Sequence, residues 1–295
     1  MMTRTRKITA RLALGFALLT VAMVQHAYAA DENSERQFVL ANVEFALLHE
    51  IAHVLIWELK LPVFGREEDA ADNIATIALM MTYQQTGAPM LDSLQAVADG
   101  WKLEWQLVAD DEIEHAYWDL HTLEIQRYYN ISCLVYGADP ANRTQILEVT
   151  GLPTERAEFC QEEYNTAQQA MQWLFNQHSG TQKSSENSSR VHLVYDANPT
   201  LDGKKLDSWL RSSQIPERLA QMLDTRFDLP RDITISFARC KDPNASWDSN
   251  TSTITFCYSL MNRFLYLARE VASARATSVD GGSWNDAAYT GEPRR

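Results

Sequence analysis

The stretch HEIAHVLIWELKLPVFGREEDAAD, residues 49–72, holds the side chains whose types and spacing could do chemistry. His49 and His53 stand four apart. On a helix, two such residues leave one face, about 40° apart around the axis and roughly 6 Å along it. Imidazoles placed that way can both reach one metal ion at about 2.0–2.1 Å. Glu50, next to the first histidine, then lies beside the open side of such an ion. A carboxylate there can take a proton from a water that the ion has acidified, which is the general-base role in metal-assisted hydrolysis. Ile51 and Ala52 between the histidines are uncharged, as a buried active-site helix requires.

This order of residues is the HExxH pattern of zinc peptidases. A catalytic zinc site takes three protein ligands and keeps one open position, so a third ligand must come from elsewhere. Pro62 and Gly65 break the first helix, and Glu67, Glu68 and Asp69 make an acidic start to a second. Glu68 and Asp72 are four apart and share a face of that second helix. The pair resembles the ExxxD of the glutamate-type zincins, in which the Glu is the third ligand and the Asp orients a ligand His from behind. That resemblance implies Glu68 as the third ligand of a single Zn2+ and Asp72 as the positioning carboxylate. A plainer reading competes: HExxH arises by chance on exposed helices, and acids at a helix start are expected from the macrodipole alone. The break followed by ExxxD, fifteen residues after His53, favours the metal site.

Hydrophobic periodicity shows which elements must position these residues. From about Ser34 to Leu59, Phe38, Val39, Val43, Leu47, Ile51, Val54 and Leu55 recur at helical spacing, predicting one long helix that carries both histidines. Ala70 to Tyr83 reads as the next, ended by Gly87 and Pro89. Two more helices are expected over 90–130, rich in core-type tryptophans, and another helical region over 141–178. His121, Arg127, Tyr128 and Tyr129 lie there. In glutamate-type zincins a later His or Tyr often donates to the oxyanion of the tetrahedral intermediate, and His121 is our candidate for that catalytic role. Beyond a polar Ser-rich stretch, VHLVYD (191–196), ITISFAR (233–239) and STITFCY (252–258) alternate and are β-branched, so short strands are expected. Helices fill 204–225 and 259–275.

The chain opens with Arg4, Arg6, Lys7 and Arg11, an apolar run from Leu12 to Val24, and Ala27-Tyr28-Ala29. Those are the three parts of a secretory signal, and the run is short of the ~20 residues a membrane-spanning helix needs. Cleavage after Ala29 is expected, giving an exported protein, periplasmic or secreted, with no later membrane span. A net charge of −13, made more acidic by loss of that basic start, disfavours nucleic acid and anionic lipid as partners. Cys133, Cys160, Cys240 and Cys257 contain no CxxC pair, so in an exported chain they point to two disulfides rather than a cysteine metal site. Of three possible pairings, Cys133–Cys160 with Cys240–Cys257 is the expected one, because each then staples one half of the chain.

With these residues in hand, the chain resembles a family of exported bacterial proteins described as metallopeptidases. The resemblance rests on HEIAHVLIWELKLPVFGREEDAADNIAT, on HTLEIQRYYNISCLVYGADP, and on Cys240, Asn244 and ITFCYSL, and it covers roughly residues 36–265. It implies a zincin-like metallopeptidase acting on a peptide or protein substrate, with His49, His53 and Glu68 as ligands and Glu50 as base. The expected fold is α+β, mainly α-helical: a zincin-like HExxH helix packed on a following ExxxD helix, with a small antiparallel β element in the C-terminal part. The expected organisation is a signal peptide (1–29), a helical metallopeptidase-like domain (30–178), a linker or loop (179–190), a smaller α+β part (191–276) and a disordered tail (277–295). One departure stands out. Only about twenty residues separate Ala29 from His49, too few for the sheet that precedes this helix in well-known zincins, so any strand that aligns substrate must come from later in the chain. The rival reading from another class is a catalytically silent, zinc-stabilised binding module of the cell envelope.

Overall fold

The computed structural model describes residues 32–86, 90–110, 117–179, 189–197 and 201–278. The expected signal segment, most of the polar linker, and the expected tail beyond 278 lie outside the described residues. Helix α1 (Glu32–Glu58) is, among the described residues, the one helix long and apolar enough to cross a membrane, yet 83% of its most apolar window is buried inside the protein. Val39, Val43, Leu47, Leu48, Ile51, Val54 and Leu55 are all buried. A helix covered on nearly every side is a core helix, and this one carries the HExxH residues.

The other helices wrap it. Helices α2 (Glu67–Thr86), α3 (Met90–Asp110), α4 (Glu124–Gly137), α5 (Gln145–Thr150) and α6 (Thr154–His178) follow in order, with α4 packed against α2, α3 and α6. The turn from α1 into α2 has Lys60 at φ 53° and Gly65 at φ 120°, a backbone conformation that only glycine adopts without strain. That turn brings the acidic start of α2 back alongside the second histidine. Asn42 of α1 donates to the Ala96 carbonyl of α3 at 3.2 Å, and Tyr83 of α2 donates to Glu44 of α1 at 3.2 Å.

Both expected disulfides are present, Cys133–Cys160 and Cys240–Cys257. The first joins α4 to α6 where the two helices approach so closely that a Cβ on Gly137 would lie 2.0 Å from the Cys160 carbonyl oxygen. It closes a loop across a sequence separation of 27, for which the chain-entropy argument gives about 3–4 kcal/mol. The pair Cys133→Ser/Cys160→Ser is therefore expected to lose about 3 kcal/mol in urea denaturation; an unchanged midpoint would contradict it.

The C-terminal part adds a four-stranded sheet of order β1-β2-β4-β3: β1 (Val191–Tyr195), β2 (Ile233–Ala238), β3 (Ala245–Asp248) and β4 (Thr253–Cys257). The fold is α+β and mainly helical, as expected. The antiparallel element is the β3–β4 pair, and two parallel pairings, β1–β2 and β2–β4, extend it. Between β1 and β2 run α7 (Leu201–Ser213) and α8 (Ile215–Arg226), the crossover that a parallel pair requires. The single helical stretch expected over 204–225 is thus two helices, parted at Gln214 with φ 55°. Ile233, Ile235 and Phe237 of β2 and Ile254 and Phe256 of β4 face the core. Helix α9 (Tyr258–Ser278) follows β4 directly, packs on α3, and carries helix through 277 and 278, where a disordered tail was expected to begin.

One hydrophobic cluster includes residues from Phe38 on α1 to Val271 on α9. Ion pairs cross between the same parts of the chain: Arg218–Glu44 at 2.5 Å, Arg231–Glu58 at 2.5 Å and Arg263–Glu104 at 2.5 Å. The last holds α9 over α3 and so fixes one wall of the cleft described next.

Candidate metal centre

The site is built where α1 passes the first turn of α2. Nδ1–H of His49 donates to Asp72 Oδ1 at 2.8 Å, and Nδ1–H of His53 donates to Glu67 Oε1 at 2.7 Å. With both Nδ1 atoms held by carboxylates, the ring orientations are set and both Nε2 atoms face inward. The two Nε2 atoms lie 3.1 Å apart, and Glu68 Oε2 lies 3.1 Å from the first and 3.4 Å from the second. Three such atoms converging at these distances need positive charge among them, from ring protons or from a metal ion that replaces those protons.

Ligand atoms about 2.0–2.1 Å from a tetrahedral ion are about 3.3–3.4 Å from each other. The separations of 3.1, 3.1 and 3.4 Å come within a few tenths of an ångström of those edges. Two imidazoles and one carboxylate form a donor set that suits zinc, so these residues fit a metal ion. His49, His53 and Glu68 are also the group of possible ligands found together among the described residues.

The electrostatics favour positive charge at the same point. Burial would lower the His49 imidazole, but the carboxylates of Asp72 and Glu68 outweigh it and raise it. For His53 burial is again overcome, by Glu68 and Glu67, and the ring is pushed up to about 9. Burial would raise Glu68, yet hydrogen bonds from His121, His49 and His53 hold its carboxyl far below the usual range. Asp72, likewise buried, is held down by the Arg127 guanidinium and by His49. Burial pushes Glu50 up, against the pull of His49 and His53.

Arg127 of α4 grips Asp72 with two hydrogen bonds, from Nε at 2.7 Å and Nη2 at 2.5 Å, and its guanidinium lies 3.6 Å from the Trp101 ring centroid. The chain is therefore Trp101, Arg127, Asp72, His49: each member holds the next. His121, on the segment before α4, places Nε2 3.1 Å from Glu68 Oε2 and Nδ1 3.0 Å from Asp119 Oδ1. Its backbone N–H also donates to Asp119 at 2.8 Å. A cleft of about 530 Å³ opens beside these groups, lined by His49, Glu50, His121 and Arg127 on one side and by residues of α3, the β3 entrance and α9 on the others.

Compared with known families, residues 13–175 and 195–288 match a family model described as "Putative metallopeptidase". The chain belongs to that family. No curated protein and no solved structure matches the chain. The matched residues include His49, His53 and Glu68.

The residues singled out in the sequence are distributed as follows. His49, Glu50, His53, Glu68, Asp72 and His121 come together. Arg127 also reaches the cleft, but two of its nitrogens are committed to Asp72, so it is a support for that carboxylate rather than a free oxyanion donor. Tyr128 points away: it is buried and donates to the Thr150 carbonyl at 2.8 Å. Tyr129 packs beside the Cys133–Cys160 cluster. Glu67 was not singled out as a partner of His53. Its place one residue before Glu68 was the available signal, masked by the general preference for acids in a first helical turn.

Proposed function

We propose that the chain is a zinc-dependent peptidase in which Glu50 is the general base. The observation that supports this best is the convergence of His49 Nε2, His53 Nε2 and Glu68 Oε2 at tetrahedral-edge distances beside a buried carboxylate that opens into a cleft. A zinc ion held by the three would polarise the scissile carbonyl and bring the pKa of a water toward about 7. Glu50 takes the proton of the attacking water and passes it to the departing amine nitrogen. Asp72 and Glu67 keep the two rings oriented, and Arg127 keeps Asp72 charged and in place. The His121 Nε2–H, which here rests on Glu68 Oε2 at 3.1 Å, would turn to the carbonyl oxygen as negative charge develops on it once Glu68 is committed to the ion. Two disulfides accord with work outside the cytoplasm, and peptides or proteins of that compartment are the proposed substrates.

The experiment is a peptide-library digest by the purified chain, with and without a chelator. Cleavage that stops on chelation and returns with added zinc is expected. A zinc-loaded chain that cleaves no peptide would instead favour the silent binding module.

A further inference from the structure

The cleft beside Glu50 is polar on the side of the candidate ligands and mostly apolar along α3 and α9, with Asn42, Glu104 and Asn244 also in its lining. On α1, Phe45 and Ala46 sit one turn before His49 and Glu50 and line the same space. One helical turn is about 5.4 Å, comparable to the step between a peptide carbonyl and the neighbouring side chain. From α3, Trp101 and Val108 face in, and from α9, Leu260, Phe264 and Leu267, at the i, i+4, i+7 spacing of one helix face. The small residues Ala46 and Gly100 leave the space between these walls, and a Cβ on Gly100 would meet Asn42 Oδ1 at 2.8 Å, so the Asn42 side chain would have to shift.

The charged side chains in the lining beyond the ligand side are paired or acidic. Glu104, which borders the wall, is bound by Arg263 through two nitrogens at 2.8 and 2.5 Å. The carboxylates of Asp119 and Glu124 belong to the same lining, on the segment that carries His121. An acidic group on the substrate would meet two more acids there, while an apolar one finds aromatic and aliphatic surface. At about 530 Å³ the cleft has room for a large side chain with its flanking backbone.

We propose that this cleft is a specificity pocket for one bulky apolar side chain, leucine, methionine or phenylalanine, on a residue flanking the scissile peptide bond. The assignment rests on the peptidase reading for its position relative to the bond, but the pocket itself can be tested without catalysis. The probe is a set of end-blocked hexapeptides that differ at one central residue, titrated calorimetrically into the zinc-loaded Glu50→Gln chain. Central Phe or Leu is expected to bind at least about tenfold more tightly than Ser, the free energy of burying a large apolar side chain setting that scale. Central Asp is expected to bind most weakly.

Two variants locate the preference. Val108→Trp fills the space, and Leu260→Glu charges a wall; both positions are partly exposed, and circular dichroism reports whether each folds. In either folded variant the preference for Phe over Ser should fall to about threefold or less. Equal binding of Phe and Ser peptides by the parent chain, or an intact preference in both folded variants, overturns the pocket assignment. Digestion by the unmodified chain separates the two readings. Cleavage with no enrichment of apolar residues beside the cut removes the pocket and leaves the peptidase. Selective binding with no cleavage removes the peptidase and leaves the pocket.

Discussion

Glu50→Gln is expected to cut peptide hydrolysis by about 10²–10⁴-fold while leaving the metal content unchanged. The amide has nearly the shape of the carboxylate, so the 6% exposed site should accept it without strain. What it lacks is a lone pair basic enough to take a proton at neutral pH. Glu50 lies outside the three converging ligand atoms, which is why zinc should stay. The comparison of kcat/KM with zinc content in the same preparation is therefore diagnostic: peptide cleavage at parental rate in the folded, zinc-loaded variant would remove Glu50 from the chemistry.

Asp72→Ala should be the most damaging single change to the folded state near the site. Its carboxylate joins the His49 ring to the Arg127 guanidinium, with all three groups buried. Removing it leaves a buried guanidinium without its two carboxylate hydrogen bonds, a change that typically costs about 3–5 kcal/mol. It also frees the His49 ring to rotate, and loss of such a partner typically weakens metal binding by about 10–100-fold. Urea denaturation reads the first effect and competition with a chromophoric chelator the second. The double change Asp72→Ala/Arg127→Met should recover part of the stability and none of the metal affinity. Recovery of both would mean that Asp72 serves Arg127 alone.

The parts of the site that were legible in the sequence are those fixed by local geometry. Helical spacing puts His49 with His53, and Glu68 with Asp72, and the Pro62–Gly65 break dictates that the two helices fold back on each other. Disulfide pairing followed from the same preference for nearby partners. What escaped are contacts between residues far apart in sequence. The Arg127 clamp on Asp72 spans 55 positions and has no periodic signature. Strand β3, with the sequence ASWD, alternates over only four residues, too short a run to mark a strand by itself, and it exists because it pairs with β4. The parallel pairing of β1 with β2 depends on the α7–α8 crossover rather than on the strands themselves. None of the three strands expected from sequence reaches the cleft; the segment that does is Pro243–Ala245, at the entrance to β3. The apolar walls from α3 and α9 were equally invisible, because an apolar stripe that lines a cleft looks the same in sequence as one that lines a core.

Everything above depends on one claim, that His49, His53 and Glu68 together hold one divalent cation. Elemental analysis of the gently purified chain, beside a folded His53→Ala variant, tests it most directly. The account predicts close to one zinc per parent chain and a large deficit in the variant. A parent chain without bound metal, or a variant that binds zinc as well as the parent, would contradict it.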